Sequence, residues 1–292
     1  MNESSGLKLY GIIGHPIGHT LSPLMHNTAF ESLGISASMN AFDIEPRSLK
    51  EAIQGFAALG FGGINVTIPH KEAIMPFLDE IDEEAGIIGA VNTVKFDRGK
   101  TAGFNTDSYG FLQTLEPYRS MIEGGKFVVL GAGGAAHAVV YVLLKHFRTK
   151  QIVIASRSAA HIADLIENFK GSSQAKLSSF DPSDGQFSRM FEASDVIINA
   201  TPAGMFPKVN DTPIPSPPFR SGHVVLDLIY RPVQTEFLHR ASEAGAQTIS
   251  GLEMFLHQGA RSFQIWTGKA MNTELVREVI CRKLDQESNT GQ

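Results

Sequence analysis

Two residues in the first third of the chain have side chains suited to handling a proton. Lys71, in NVTIPHKEA, lies just beyond Pro69, where a helix is expected to begin. A helix dipole disfavours a cation at its N-terminus, which would lower the ammonium pKa from ~10.4 toward a range useful for proton transfer. The plain alternative is a solvated surface lysine. Asp107, in GFNTDSYG, would orient such an ammonium if the two side chains meet, and it reads equally as the N-cap of the helix that follows. Thr20 and Ser22, in HPIGHTLSP, are two residues apart, so an extended segment turns both hydroxyls to one side. Beside the free N–H groups of a helix start they would suit one carboxylate, or Ser22 simply caps the helix. His15, His19 and His26 stand nearby without the spacing of metal ligands, and they receive no catalytic role.

A second group of residues could hold a nucleotide. Gly131, Ala132, Gly133, Gly134, Ala135 and Ala136 lie between an expected strand and an expected helix, the context in which glycines let a backbone approach a pyrophosphate at a helix N-terminus. A tight turn without ligand is the alternative. An NAD site would carry a carboxylate at the end of the next strand, but QIVIA ends in Ser156, Arg157 and Ser158. A guanidinium flanked by hydroxyls suits a 2′-phosphate, so the residues favour NADP over NAD, against the alternative of an exposed arginine in a loop.

The elements that must position these groups follow from composition and pattern. A length of 292 residues with 42% apolar content suits about two domains of an ordinary globular protein. A net charge of −5 argues against a polyanion-binding protein, so no nucleic-acid partner is expected. Cys281, the single cysteine, fits a reducing compartment, and no Cys/His cluster suggests a metal. The opening MNESSGLKLYGII lacks a basic leader and a signal core, and the apolar run 128–144 is too short for a membrane helix; a cytoplasmic protein without a membrane partner is expected. Strands are expected at 7–13, 38–44 and 63–67, and helices from Ser22, capped by that serine with Pro23 at the first helical position, and over 48–60. A wholly apolar strand at Phe127 to Leu130, another apolar one at 151–155, and strands without polar alternation at 195–200 and 223–230 then follow, as in a parallel sheet covered on both faces. The fold class is α/β, its second part a doubly wound, Rossmann-type domain. The Pro-rich run 213–219 reads as a loop, and helices at 253–268 and 272–284 close the chain with Phe255, Phe263 and Trp266 to bury.

Eight ordered motifs then resemble the shikimate dehydrogenase family: GHPIGHTLSPLMHN, GINVTIPHK, IGAVNTV, GFNTDSYG, VLGAGGAA, INATPAGM, DLIY and GLEMFLHQGARSFQIWTG. The resemblance implies an N-terminal α/β substrate-binding catalytic domain over 1–107, completed by 252–292 as the last helices return, and an NADP-binding domain over 108–251. It implies reversible NADPH-linked reduction of 3-dehydroshikimate to shikimate, with Lys71 and Asp107 as the catalytic pair and Lys71 as proton donor. Thr20 and Ser22 match the carboxylate-holding hydroxyls, and Thr67, Asn92, Tyr230 and Gln258 match contacts to ring hydroxyls and carboxylate. On the cofactor side Gly131 to Ala135 match the pyrophosphate loop, Ser156, Arg157, Ser158 and His161 the 2′-phosphate segment, and Leu228 and Gly251 the nicotinamide surroundings. Glu83 matches a further cofactor-side position.

The chain departs from the family pattern at three places. Thr20 stands where serine is usual, which bears on shikimate against quinate. Ser156 to His161 lack the second permanent cation of N-R-T-x-x-R, and His137 replaces an arginine after the glycine loop. A quinate/shikimate enzyme with relaxed cofactor use and a nucleotide-sensing regulator without turnover stand as alternatives, the retained Lys71 and Asp107 opposing the second. A homodimer stays open.

Overall fold

The computed structural model describes residues 6–171, 174–181 and 185–290, without the side chains of 288–290. Residues 1–5, on which the reading of the leader partly rests, lie outside the described residues. The chain forms two compact units, one of residues up to Tyr109 together with those from Leu256 onward, the other Gly110–Phe255.

In the first unit the strands are β1 (Lys8–Gly14), β2 (Ala37–Asp43), β3 (Gly63–Val66), β4 (Glu80–Ile81), β5 (Thr93–Asp97) and β6 (Lys100–Phe104). They form one sheet in the order β2-β1-β3-β5-β6-β4. β1 pairs in parallel with β2 and β3, whereas β5 runs antiparallel to β3 and β6. The helices are α1 (Ser22–Ser32), α2 (Leu49–Ala58), α3 (His70–Ala73), α4 (Glu83–Ile88) and the start of α5 (Thr106–Leu115). Alternation along β1 serves two layers: Ile13 joins Ile53, Phe56 and Ile64 on one face, and Tyr10 stacks on Phe30 of α1 on the other.

The second unit holds α6 (Arg119–Ile122), β7 (Lys126–Leu130), α7 (Gly134–His146), β8 (Gln151–Ala155), α8 (Ala159–Asn168), β9 (Lys176–Phe180), α9 (Gly185–Glu192), β10 (Val196–Asn199), β11 (Val224–Asp227), α10 (Glu236–Glu243) and β12 (Gln247–Ile249). Its sheet, all parallel, has the order β12-β11-β10-β7-β8-β9. The order reverses between β7 and β10, where doubly wound sheets bind ligands at their carboxyl ends. β7 and β8 are buried beyond their first residue, and every residue of α7 from Ala136 to Leu143 is buried, which is why this helix is apolar all round.

Two helices, α11 (Leu252–Thr267) and α12 (Thr273–Thr290), close the chain. Beyond Phe255 they belong to the first unit. A Cβ on Gly63 would stand 2.1 Å from Trp266 Nε1, so β3 offers glycine where the indole lies, and Nε1 donates to Val94 O at 3.0 Å. A Cβ on Gly259 would likewise meet Met25 Cε at 2.2 Å, which lets α11 approach α1 closely. Phe263 packs with Phe30 and His26 in the same layer. Phe255 differs from the expectation: it is grouped with the second unit and stacks on Tyr230 at 4.0 Å, because the division falls inside α11.

Two boundaries also differ. No side chain caps α1; Ser22 is already its first residue, Leu21 holds the N-cap position, and Thr20 Oγ1 accepts from Ser22 N at 3.2 Å. β11 ends at Asp227 rather than running to 230, since Ile229 N turns to the Asp227 carboxylate at 3.0 Å instead of a neighbouring strand. Among the described residues no helix is long and apolar enough to cross a membrane, and no His/Cys/Asp/Glu cluster could hold a metal ion.

Candidate active site

Lys71 Nζ donates to Asp107 Oδ2 at 2.5 Å, with the two side chains 14% and 7% exposed. Separate elements deliver them. α3 carries the lysine, and Val91 N donates to Lys71 O at 2.8 Å, bracing it against the segment that leads into β5. Because α3 has four residues, it has no macrodipole of consequence, and the electrostatics at Lys71 come from the facing carboxylate. Asp107 sits in the first turn of α5 without capping it. Asn105 does that, accepting from Ser108 N at 3.1 Å while its amide donates to Ala90 O at 2.8 Å. The Asp107 side chain is thereby released for the lysine.

The other Asp107 oxygen is held by Asn92, whose Nδ2 donates to Oδ1 at 2.8 Å and to Thr106 Oγ1 at 3.0 Å. Thr106 N donates to Asn92 Oδ1 at 2.7 Å, which sets the amide orientation without ambiguity, since a carboxylate can only accept. Both Asn92 N–H groups are thus engaged within the protein. Behind Asn92 lie Asn65, Thr93, Thr106 and Ser262, all buried, none of which was singled out from sequence. Each stands inside a recognised motif, but serine, threonine and asparagine carry no spacing signal of their own.

Thr20 and Ser22 do face each other: Thr20 Oγ1 donates to Ser22 Oγ at 3.2 Å. Thr67 follows β3 in the same unit, its N–H donating to Ile13 O at 2.9 Å, and Gln258 lies half-buried on α11. Glu83 is the exposed first residue of α4 in this unit. His26, fully buried among Phe30, Phe263 and Trp266, is pushed by burial down to about 3, the neighbouring Asn65 amide opposing the shift. Its contacts are those of a core aromatic ring.

In the second unit Gly131 follows β7 with φ +109°, and a Cβ there would stand 2.9 Å from Ala200 O, beyond the end of β10. The reversal of strand order therefore coincides with a residue that only glycine suits. Gly133 is the N-cap of α7, no side chain caps that helix, and a Cβ on Gly133 would meet open space. Gly134 and Ala135 open the helix, with Ala132 buried behind them. Free backbone donors facing open space fit a pyrophosphate. Beyond β8, Ser158 caps α8 by accepting from His161 N at 3.3 Å, and Ser156 Oγ accepts from Ser158 N at 3.3 Å. Arg157 and His161 are exposed, and among the described residues Arg157 has no ion-pair partner. That fits a 2′-phosphate. Leu228 and Gly251 meet directly: a Cβ on Gly251 would stand 2.2 Å from Leu228 O. Tyr230, half-buried, stacks on Phe255 with an interplanar angle of 15°.

Residues 12–94 match the shikimate dehydrogenase substrate binding domain, 251–281 the shikimate 5′-dehydrogenase C-terminal domain, and 127–211 the saccharopine dehydrogenase NADP binding domain. The shikimate dehydrogenase (NADP(+)) of Methanopyrus kandleri is 43% identical over 94% of this chain and 95% of its own. The crystal structure of shikimate 5-dehydrogenase from Listeria monocytogenes in complex with shikimate and NAD superposes with a TM-score of 0.83 at 36% identity, covering 96% of this chain and 99% of that one. Quinate dehydrogenase from Corynebacterium glutamicum in complex with NAD superposes with a TM-score of 0.84 at 31% identity, over 94% and 99% of the two chains.

Proposed function

The chain belongs to the shikimate dehydrogenase family, and from that premise we propose that it reversibly reduces 3-dehydroshikimate to shikimate with NADPH, in the route to chorismate and the aromatic amino acids. The observation that carries the reading is the buried Lys71–Asp107 pair at 2.5 Å. NADPH, when bound, supplies the hydride. Lys71 Nζ gives a proton to the substrate oxygen as the carbonyl becomes an alkoxide, and Asp107 keeps the ammonium aimed at that oxygen. In the reverse direction the same nitrogen takes the proton from the shikimate hydroxyl.

The remaining site residues take roles in the same reading. Thr20 and Ser22 hold the substrate carboxylate, and Thr67, Gln258 and Tyr230 meet its hydroxyls and carboxylate. Asn92 meets them too, from beside Asp107, whose carboxylate its amide also contacts. Gly131, Ala132, Gly133, Gly134 and Ala135 receive the pyrophosphate, and Ser156, Arg157, Ser158 and His161 the 2′-phosphate. Leu228 and Gly251 line the nicotinamide, and Glu83 lies on the cofactor side. A cytoplasmic location belongs to this reading, supported by the single cysteine.

Turnover decides it. Purified protein mixed with shikimate and NADP should raise the reduced-nicotinamide absorbance, and Lys71→Ala should cut kcat by about 10²-fold or more, the usual contribution of a positioned acid–base group. Ligand binding without turnover would refute the reading. A second reading, a quinate and shikimate enzyme using either cofactor, is favoured by the Thr20 methyl group beside Ser22 and by the fold match to quinate dehydrogenase. A higher kcat/KM for quinate with NAD than for shikimate with NADP would establish it.

A further inference from the structure

Asp107 is held by a buried polar cluster that reaches across the first unit to α11. Ser262 Oγ lies 2.8 Å from Thr93 Oγ1 and 3.1 Å from Thr106 Oγ1, and it accepts from Asn65 Nδ2 at 3.0 Å. Its remaining neighbour is Gln258 O, one turn back on its own helix, at 3.1 Å. Ser262 and Thr93 are 0% exposed and Thr106 1%, so water cannot replace a lost hydroxyl without a rearrangement.

Counting donors shows what the serine does. Thr106 Oγ1 accepts one Asn92 N–H, so its own proton must go elsewhere. Ser262 Oγ offers an acceptor at 3.1 Å, Thr93 Oγ1 another at 3.2 Å, and the third is Asn92 Oδ1 at 3.1 Å. Asn92 Oδ1 has two lone pairs: one takes the Thr106 N–H bond that sets the amide, and the other is within reach of both the Thr106 hydroxyl and the Thr93 hydroxyl, the latter at 3.2 Å. With the Thr106 proton on Ser262, the Thr93 hydroxyl takes that second lone pair, the amide is held by two bonds, and its second N–H points at Asp107 Oδ1.

We propose that Ser262 is a positioning residue for the reaction: from α11 it orders the Thr93, Thr106 and Asn92 network that orients Asp107 and, through it, Lys71. This rests on the reading of Lys71 and Asp107 as the catalytic pair. The neighbouring turn of the same helix is fixed independently by Trp266 on Val94 O, so loss of the Ser262 hydroxyl leaves α11 docked.

The test is a double-mutant cycle on the full chain, read as kcat and KM for shikimate and for NADP. Ser262→Ala should lower kcat by about two- to tenfold, the equivalent of one net hydrogen bond, with the KM for NADP unchanged. In an Asp107→Asn background the same substitution should change kcat by less than about 1.5-fold, because coupled groups are not additive. Thr93→Val enters the network from the sheet and should repeat the pattern, including where Ser262→Ala does not fold. An unchanged kcat in Ser262→Ala, or a loss of equal size in both backgrounds, overturns the proposal. An Asp107→Asn enzyme with full kcat overturns the reading of the pair itself, which keeps the two failures apart.

Discussion

Replacing Asp107 by asparagine is the sharpest perturbation of the site, because its shape is conserved while its hydrogen-bonding pattern cannot be. The carboxylate faces a donor on each oxygen, Lys71 Nζ at 2.5 Å and Asn92 Nδ2 at 2.8 Å. An amide in its place must turn its own N–H₂ toward one of them. If that donor is Asn92, two amide nitrogens confront each other in a buried space; if it is Lys71, the ammonium loses its counter-charge as well. A hydrogen bond to a charged group contributes about 1.5–3 kcal/mol, and a buried donor left unpaired costs about 1–3 kcal/mol, so the local loss is about 2.5–6 kcal/mol. Felt wholly in the transition state, that lowers kcat by about 10²- to 10⁴-fold. The resting enzyme also bears part of the loss, so the lower end of that range is expected, together with a lower Tm. Initial rates at saturating shikimate and NADP, followed at the reduced-nicotinamide band, supply kcat, and circular dichroism checks that the fold persists. A folded Asp107→Asn enzyme with kcat within threefold of the parent would show that the pair is structural and that proton transfer runs elsewhere.

Three further outcomes are expected. Arg157→Ala should weaken NADPH and leave NADH nearly unchanged in fluorescence titrations, since the proposed reading assigns the exposed guanidinium to the extra phosphate; equal losses would assign it another ligand. Gly251→Ala should lower Tm and raise the KM for NADP, because its methyl group would stand 2.2 Å from the Leu228 carbonyl oxygen and force two backbone segments apart; a parent-like enzyme would contradict that approach. For His26, burial lowers the folded-state value from 6.5 to about 3, so the unfolded chain binds a proton that the folded protein refuses. Stability from this group is present above pH 6.5 and is lost as pH falls toward 3. Between pH 7 and pH 5 the parent should lose about 2 kcal/mol more in urea unfolding than His26→Leu, and parallel losses would show the ring is not held neutral.

What sequence could convey here depended on whether the cause was local. β7 and β8 were legible because a strand covered on both faces must be apolar throughout, and the glycine turn because strand, glycines and helix are contiguous. The Ser22 cap failed by one position: Ser22 is already the first residue of α1, with Leu21 at the N-cap place. The capping reading of Asp107 failed too, with Asn105 already serving Ser108 N. The dipole argument at Lys71 depended on helix length, and α3 stops after four residues before the 3₁₀ turn at Met75–Phe77. Least legible was the cluster behind Asn92. Ser262 and Thr93 are 169 positions apart, and nothing in either residue type announces that α11 will bring them within 2.8 Å.

The docking of Trp266 on Gly63 has a consequence for how the protein comes into being. The unit that holds Lys71 and Asp107 is assembled from both ends of the chain, with the intervening unit contiguous from Gly110 to Phe255. During synthesis the part of this unit made before the intervening one is therefore finished only after it, its Asn65 and Thr93 awaiting a serine that emerges well over a hundred residues later. Until then the aromatic layer of α1 and β1 stays uncovered, a long-range closure that slows folding and gives chaperones a surface to guard. Trp266, the only tryptophan, should mark the moment of completion by the change in its emission as the indole leaves water.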